Sequence, residues 1–375
     1  MLRGSMRLAR DEGIGKTPAG FLRGGEVMDR WGVVALADEP AALIAAFVAH
    51  HLDLGADEVH VCLDRPNPEA RDLLAGVPGA VLHDAGDDGW AFSNGYRPAK
   101  HLGRQKYHAS RMLAETKLDW LVHCDADEFV LPTAGESVAE VLSAVRHGAS
   151  WVKIAVAERT HLDDLPAADI FSGVFRRPWA GFNARGGVIY DDAALALLNK
   201  GLCGHNLGKC AVRSGRGLFI GVHRPMREWS GGGRDVSYDG TAKLELLHYD
   251  GLTELHYALK MMRRALNAMA KNPPSHAPQR QLQFEAMAGA AHNARALHAQ
   301  WLAAKVIDAK QARVLEREGV LARFDPQIAA RTARVVGAVD LTPAGFDRAL
   351  LAHEAALFAR AAQTFGFDPA PLVAA

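Results

Sequence analysis

The sequence lacks the features that mark membrane-spanning, nucleic-acid-binding and disulfide-rich proteins. It has only 4 cysteines (Cys62, Cys124, Cys203 and Cys210) and no CxxC pair, which favours reduced thiols over a disulfide framework or a zinc site. No apolar run reaches the ~18 residues that a membrane span needs. The 43 basic residues balance the 43 acidic ones, so net charge favours neither nucleic acid nor an anionic membrane as a partner. We expect a cytoplasmic protein.

The chain is long enough for one large domain or two ordinary ones, with 375 residues of which 49% are hydrophobic. Residues 1–29 are glycine-rich and basic, and they lack the apolar segment of a signal peptide. We interpret them as a disordered leader, or as an over-extended start ahead of Met28. Residues 30–252 form the predicted main domain. Residues 253–375 are rich in Ala, Leu, Arg and Gln and are predicted to be helical.

Short apolar runs alternate with helical patterns after Trp31. Asp38 is expected to cap the first helix, and Ser137 with Glu140 forms a capping box for a later one. A hairpin is expected over residues 209–223, around Ser-Gly-Arg-Gly. This alternation predicts a parallel sheet with helices on its faces, hence an α/β fold. The predicted strands are WGVVALA (31–37), EVHVCLD (58–64), AVLHD (80–84), DWLVHC (119–124) and SWVKIAVAE (150–158).

An acidic turn follows the fourth of these strands. Asp125 and Asp127 come directly after an apolar run, and Glu128 is followed by apolar residues again. Open α/β sheets bind ligands outside the carboxyl ends of their strands, and this spacing lets both aspartates reach one hard cation, Mg²⁺ or Mn²⁺. The alternative is a solvated turn that caps the next helix. The apolar flanks argue against it, because unpaired charges are costly in a partly buried cleft.

Several ordered motifs together resemble a known family of enzymes. WGVVALADEPAALIAAFVAHHLDLGADEVHVCLDRPNPEA, KHLGRQKYHASRM and DWLVHCDADEF are similar to family 2 glycosyltransferases of the GT-A fold. The closest resemblance is to the bacterial glycosyl-transferase-2-like subgroup related to the family 92 domain, over about residues 31–265. It implies a Rossmann-like, mixed and mostly parallel sheet with a C-terminal helical extension. It also implies a nucleotide-diphospho-sugar donor, with a UDP-sugar expected, held through Mn²⁺ or Mg²⁺.

The resemblance implies roles for particular residues at the metal. Asp127 would bind the metal directly, and Asp125 would bridge the metal and the ribose. His248, in LLHYDG, would complete the metal shell, with His223 as the second candidate. For either histidine the alternative is a hydrogen-bonded residue at the end of a strand.

Three more residues are candidates for the nucleotide pocket. Asp64 ends the second strand, where this fold keeps an aspartate for the uracil or the ribose, although an ordinary turn explains it equally well. Glu39 follows the first strand and lines the same pocket or supports the start of the helix. The sequence has Asp38 before it where relatives often carry Asn, which leaves both roles open. Arg104 is expected to face the base or the diphosphate.

The acceptor side of the reaction has weaker signals. Family 2 enzymes invert the anomeric centre in one displacement, so one carboxylate should act as general base. Asp191 and Asp163, with their neighbours Asp192 and Asp164, are weak candidates, and Glu128 is adjacent to the metal site. A glycine-bearing segment before the predicted hairpin contains Lys200, His205 and Lys209. Its side-chain cations and backbone N–H groups could hold phosphate or acceptor. The alternative is that the segment only leads into the hairpin.

The C-terminal helices admit two interpretations. They cover the cleft and shape the acceptor site, or they serve oligomerisation or attachment to the inner face of a membrane. Met261, Met262, Arg263 and Arg264 would then touch a glycan or lipid-linked acceptor, as in polysaccharide biosynthesis, or simply pack on the sheet.

Two rival functions use the same features. A metal-dependent nucleotidyltransferase or phosphohydrolase would use the acidic turn, but a nucleotidyltransferase normally has a glycine-rich basic signature after its first strand, and ALADEPAAL lacks it. A catalytically degenerate sugar-nucleotide-binding scaffold would be expected to have lost the metal ligands, and these are present.

Overall fold

The protein is described by a computed structural model, which covers residues 22–23, 26–86, 90, 93, 95–163, 165, 167–229, 236, 238–271 and 276–374. Most of the predicted leader, residues 1–29, and the base candidate Asp164 lie outside these residues. In the described part of the leader, Asp29 accepts a hydrogen bond of 2.9 Å from the indole N–H of Trp120. The domain limits at 30 and 252 stay predictions.

The strands form one large sheet and two small two-stranded ones among the described residues. They are β1 (Leu22–Arg23), β2 (Glu26–Val27), β3 (Trp31–Ala37), β4 (Glu58–Leu63), β5 (Ala80–Asp84), β6 (Trp120–His123), β7 (Glu128–Pro132), β8 (Trp151–Leu162), β9 (Val174–Arg176), β10 (Lys209–Arg213), β11 (Phe219–Ile220), β12 (Pro225–Met226), β13 (Tyr238–His248), β14 (Val306–Ile307) and β15 (Leu321–Ala322).

Helices connect the strands and make up most of the C-terminal third. They are α1 (Ala41–Asp53), α2 (Pro68–Leu74), α3 (His101–Glu115), α4 (Val138–Ser143), α5 (Phe182–Arg185), α6 (Asp192–Leu197), α7 (Glu254–Ala268), α8 (Pro278–Gly289), α9 (Ala294–Lys305), α10 (Ala309–Arg317), α11 (Ile328–Val335), α12 (Pro343–His353) and α13 (Ala355–Phe365).

The large sheet has the order β15-β9-β8-β10-β6-β3-β4-β5, and β13 joins it by pairing with β8 and β7. β3, β4, β5 and β6 are mutually parallel, and β13 and β14 are parallel to β8. β10 lies antiparallel between β6 and β8. The predicted mixed, mostly parallel sheet flanked by helices is therefore confirmed, together with the helical C-terminal part.

The sheet is buried on both faces, and β3 shows how the sequence achieves this. Side chains alternate along a strand, so successive residues face opposite sides of the sheet. Trp31, Val33 and Ala35 belong to the large core that contains α1, whereas Val34 packs in a second core with residues of α3 such as Met112. This two-sided burial is typical of parallel strands in α/β proteins and explains why the strand is apolar throughout.

Two local predictions are wrong in the described residues. Asp38 does not cap α1, because its carboxylate binds Arg65 at 2.6 Å and Pro40 is the N-cap. The hairpin over 209–223 does not form either, because β10 pairs with β6 and β8 while β11 pairs with β12. The capping box of Ser137 with Glu140 is confirmed at the start of α4.

The C-terminal helices pack against the sheet rather than apart from it. Met261 and Met262 on α7 are fully buried, so neither is free to touch a lipid-linked acceptor. β14 and β15 come from this region and pair with β8 and β9, two strand additions that the helical pattern did not predict. No helix in the described part of the chain has both the length and the hydropathy of a membrane span.

Phe129 provides a test of the core beneath the acidic turn. Its ring is fully buried and contacts the rings of Phe47, Phe171 and Tyr249 at centroid distances of 5.9, 5.3 and 5.4 Å. We expect Phe129→Ala to lower the free energy of unfolding by about 3–5 kcal/mol in urea denaturation, because it opens a cavity. Leu302→Ala, at a residue 42% exposed, should change it by less than about 1 kcal/mol. Equal small effects would contradict this account of the core.

Candidate functional site

The carboxyl ends of the parallel strands bring the predicted acidic residues to one edge of the sheet. Asp125 lies two residues beyond the end of β6, and Glu128 begins β7. β7 is antiparallel to β13 with Glu128 opposite His248, and the backbone N–H of Tyr249 donates to the carbonyl of Asp127 at 2.9 Å. Strand pairing therefore fixes the acidic turn against the end of β13.

Lys209 pairs with two carboxylates of the acidic turn, Asp125 and Glu128. Its ammonium lies 2.9 Å from the Asp125 carboxylate and 3.0 Å from that of Glu128, and both Lys209 and Glu128 are fully buried. The Glu128 carboxylate also lies 2.8 Å from Nε2 of His205, and Gln105 donates to Asp125. Burial would raise the pKa of Glu128, but the charge of Lys209 and the hydrogen bond from His205 together outweigh it and hold that pKa below its usual value.

Lys260 pairs with Asp127, the remaining carboxylate of the acidic turn, and with Asp250 after β13. Its ammonium lies 2.7 Å from the Asp127 carboxylate and 2.9 Å from that of Asp250, and both carboxylates are buried. His248 lies beside them, with Nε2 3.9 Å from Asp127. Asp125 and Asp127 thus have different cationic partners. The prediction that both hold one metal stays a prediction.

The residues around Asp127 fit a divalent metal in their donor chemistry. One ligand atom each from Asp127, His248 and Asp250 lies within 4.8 Å of the others, and the two carboxylates are ligands of the kind that suits Mn²⁺ or Mg²⁺. Nδ1 of His248 is buried and makes no hydrogen bond among the described residues. A second group, Glu128, His205 and His248, meets the same distance limit and shares His248. Asp125 belongs to neither group.

Asp250 connects the site to the C-terminal helices. Its carboxylate accepts from Arg280 of α8 at 3.0 Å and lies 3.3 Å from the ammonium of Lys305 at the end of α9. Lys305 also reaches Glu158 of β8 at 3.4 Å. Burial works against ionisation of Asp250, but the charge of Arg280 and the two lysines holds its pKa well below the usual range. Asp250 is therefore ionised and paired.

A glycine lies where the chain passes closest to these side chains. The backbone N–H of Gly204 donates to Glu158 at 2.5 Å. A Cβ on Gly204 would meet Glu158 at 2.6 Å and His248 at 2.7 Å. Only glycine allows this approach without displacing one of the two side chains.

Two of the predicted nucleotide-pocket residues bind each other. Arg104 donates to both carboxylate oxygens of Asp64, at 2.7 and 2.5 Å, and Arg97 donates to the same carboxylate at 2.5 Å. Burial alone would raise the pKa of Asp64, but hydrogen bonds from His101 and Arg104 hold it well below its usual value. Asp64 is therefore an anion fixed at the end of β4. The roles of both residues toward a nucleotide stay predictions.

Glu39 follows the end of β3 and lies near Asp127 and Lys260. Its carboxylate is 3.7 Å from Nε2 of His256. Burial raises its pKa to about 7, the charges of Arg263 and Lys260 oppose that rise, and the charge of Asp127 adds to it. Glu39 is thus the carboxylate of this edge that changes its charge near neutral pH.

The other predicted residues belong to neither of these two groups. His223 binds the carbonyl of Gly208 at 2.8 Å through Nδ1, and its ring lies 4.8 Å from that of His205. Asp191 caps α6 by accepting the N–H of Ala194 at 2.8 Å. Asp163 and Lys200 are exposed, and Asp192 is exposed in the first turn of α6.

Several members of the site were not predicted from the sequence. Asp250 follows His248 by two residues, so an HxD pattern at a strand end would have been a usable signal. Glu158 ends a predicted strand and was not considered. Lys260, Arg280 and Lys305 lie on helices of the C-terminal part, where no local pattern distinguishes an inward-pointing cation from a solvated one.

The comparisons with known proteins are distant. No known family profile and no curated protein matches the sequence. A structure of glucosyl-3-phosphoglycerate synthase from Mycobacterium tuberculosis with Mn²⁺ and UDP is 19% identical, with TM-score 0.24, over 35% of this chain and 44% of that chain. Mannosyl-3-phosphoglycerate synthase from Rubrobacter xylanophilus is 18% identical, with TM-score 0.27, over 49% and 53%. The WbbM bifunctional glycosyltransferase is 16% identical, with TM-score 0.25, over 38% and 25%. The chain spans less than two thirds of each, and no family membership follows.

Lys209 allows a test of the buried ion pairs. Lys209→Met leaves Asp125 and the buried Glu128 without their cation, so we expect the free energy of unfolding to fall by about 3–5 kcal/mol. Adding Glu128→Gln should restore part of the loss, because it removes the unpaired charge. Lys243→Met, at an exposed lysine paired with Glu136, should cost less than about 1 kcal/mol. If the double variant is no more stable than Lys209→Met, charge pairing is not the cause.

Glu39 predicts a pH dependence of stability. Its pKa is raised from 4.5 to about 7 in the folded protein, so the folded state binds more protons between these pH values and stability falls as pH rises through them. Glu39→Gln removes this penalty. It should therefore stabilise the protein at pH 8 by about 1–3 kcal/mol and have little effect at pH 4, measured by urea denaturation. Glu285→Gln, at an exposed residue of α8, should follow the wild type; a gain for Glu39→Gln that is equal at both pH values would contradict the assignment.

Proposed function

We propose that the protein is a metal-dependent, inverting glycosyltransferase that moves a sugar from a UDP-sugar to a glycan or lipid-linked acceptor. The observation that carries the proposal is the group formed by Asp127, His248 and Asp250 at the carboxyl edge of the sheet. This edge is where open α/β sheets bind nucleotides. The resemblance of the motifs to family 2 glycosyltransferases supports the same conclusion.

Each group of charged residues at this edge of the sheet would have its own role in this reaction. Asp127, His248 and Asp250 would hold Mn²⁺ or Mg²⁺, which as a Lewis acid neutralises the charge that grows on the departing diphosphate. Asp64, fixed by Arg104 and Arg97, accepts hydrogen bonds from the ribose or the uracil. Lys260, whose ammonium pairs with Asp127 and Asp250, would add a further positive charge near the same diphosphate.

The acceptor hydroxyl needs a base on the opposite face of the sugar. Asp163 is the better of the two candidates from the sequence, because the carboxylate of Asp191 is occupied as the N-cap of α6. Attack by the hydroxyl oxygen on the anomeric carbon breaks the bond to the diphosphate oxygen. The proton passes to the base, and the anomeric configuration inverts.

One observation favours a second candidate, a sugar-nucleotide-binding scaffold without transfer activity. Each aspartate of the acidic turn has a lysine partner, Lys209 or Lys260, so the charge is balanced within the chain. Such a site binds a nucleotide through its cations and leaves the sugar intact. Hydrolysis or transfer of the sugar separates the two candidates.

Thermal unfolding with UDP and MnCl₂ tests the proposal. Saturation to 100 times the dissociation constant adds about 2.7 kcal/mol, which should raise the midpoint by several degrees. Asp127→Asn should abolish the rise, whereas Asp84→Asn, at an exposed carboxylate on β5, should retain it. GDP serves as the nucleotide control.

If neither UDP nor GDP changes the midpoint with Mn²⁺ present, the glycosyltransferase proposal is wrong. If UDP binds but no UDP-sugar in a panel is hydrolysed or transferred to any acceptor, the scaffold is favoured instead.

A further inference from the structure

Lys260 occupies the position that a divalent cation would need. Its ammonium bridges the carboxylates of Asp127 and Asp250 at 2.7 and 2.9 Å. These two residues and His248 provide the ligand atoms that lie within 4.8 Å of one another. An ammonium and a metal cannot both lie between the two carboxylates, since they would use the same oxygen lone pairs and repel each other.

Cations outnumber carboxylates in the group of ion pairs that contains Lys260. Ion pairs within 3.5 Å join three buried carboxylates to four cations in one connected group. The carboxylates are Asp127, Glu158 and Asp250, and the cations are Lys260, Lys305, Arg176 and Arg280. A divalent metal added to this group increases the positive surplus, whereas the phosphates of a nucleotide reduce it.

Lys260 is the cation of the group best able to leave. Its side chain is 19% exposed, whereas those of Lys305, Arg176 and Arg280 are 0%, 2% and 12% exposed. A lysine also has a flexible four-carbon stem and no fixed fork geometry. Its ammonium can therefore move from Asp127 toward the solvent without the backbone of α7 moving.

We propose that Lys260 is an internal competitor of the metal, which the metal displaces toward the diphosphate of the donor. This inference rests on the proposed function for the identity of the donor. Metal alone binds weakly, because it must displace an ion-paired ammonium. Metal and nucleotide bind together more tightly, because the displaced ammonium gains a phosphate partner and the added charges balance. Each then raises the affinity of the other by the same factor.

Calorimetric titration of MnCl₂ into the full chain, with and without UDP, tests this. Lys260→Met keeps a good helix former of similar length and removes the competing charge. We expect it to bind Mn²⁺ alone at least about tenfold more tightly than the wild type. UDP should tighten Mn²⁺ binding at least about tenfold in the wild type and by less in the variant. Lys260→Gln is a second neutral variant if Lys260→Met does not fold.

Lys243→Met is the matched control, because it removes an exposed lysine in the middle of β13, the strand that ends at His248. It should leave Mn²⁺ affinity within about twofold of the wild type. The inference is overturned if the neutral variants bind Mn²⁺ alone less than tenfold more tightly than the wild type, or if no protein binds it. UDP titrated in the same series tests the proposed function separately, since UDP binding with an unchanged Mn²⁺ affinity would refute only the competition.

Discussion

The need to pair buried carboxylates controls the architecture of this protein more than any other interaction. Strands β7 and β8 and the turns after β6 and β13 bring four of them to one edge of the sheet, Asp127, Glu128, Glu158 and Asp250, together with the partly exposed Asp125. Ionised carboxylates at such depth are stable only with cations and hydrogen bonds around them. The cations come from β10, α7, α8 and α9, that is, from parts of the chain far away in sequence. The sheet and the C-terminal helices therefore have to fold together for these carboxylates to have their cationic partners.

Strand register turns this general requirement into a specific geometry. The pairing of β7 with β13 sets Glu128 against His248, and the pairing of β13 with β8 sets His248 against Glu158. A shift by one residue would turn each of these side chains to the other face. The apolar residues between them, with Phe129 at the centre, anchor that register in the core. Hydrophobic packing thus positions the charges, and the charges in turn bind the outer helices.

Local patterns predicted most of the parallel sheet, because β3, β4 and β6 are buried on both faces and bounded by caps and turns. They also predicted that the acidic turn lies at a strand end. They did not predict which strands pair when the partners are far apart in sequence. β10 looked like half of a hairpin, yet its partners are β6 and β8. The carboxylates that need a positive partner were visible in the sequence, but Lys209 and Lys260 have no local signature as that partner.

The contacts of Asp250 link the unfolding of the sheet to that of the C-terminal helices. Arg280 and Lys305 bind this carboxylate from α8 and α9, and Lys305 also binds Glu158 of β8. A chain shortened to end at residue 252 would keep the acids and lose these bases. Such a shortened chain would then not be a separable module, and heating the full chain should melt sheet and helices in a single cooperative transition rather than in two steps.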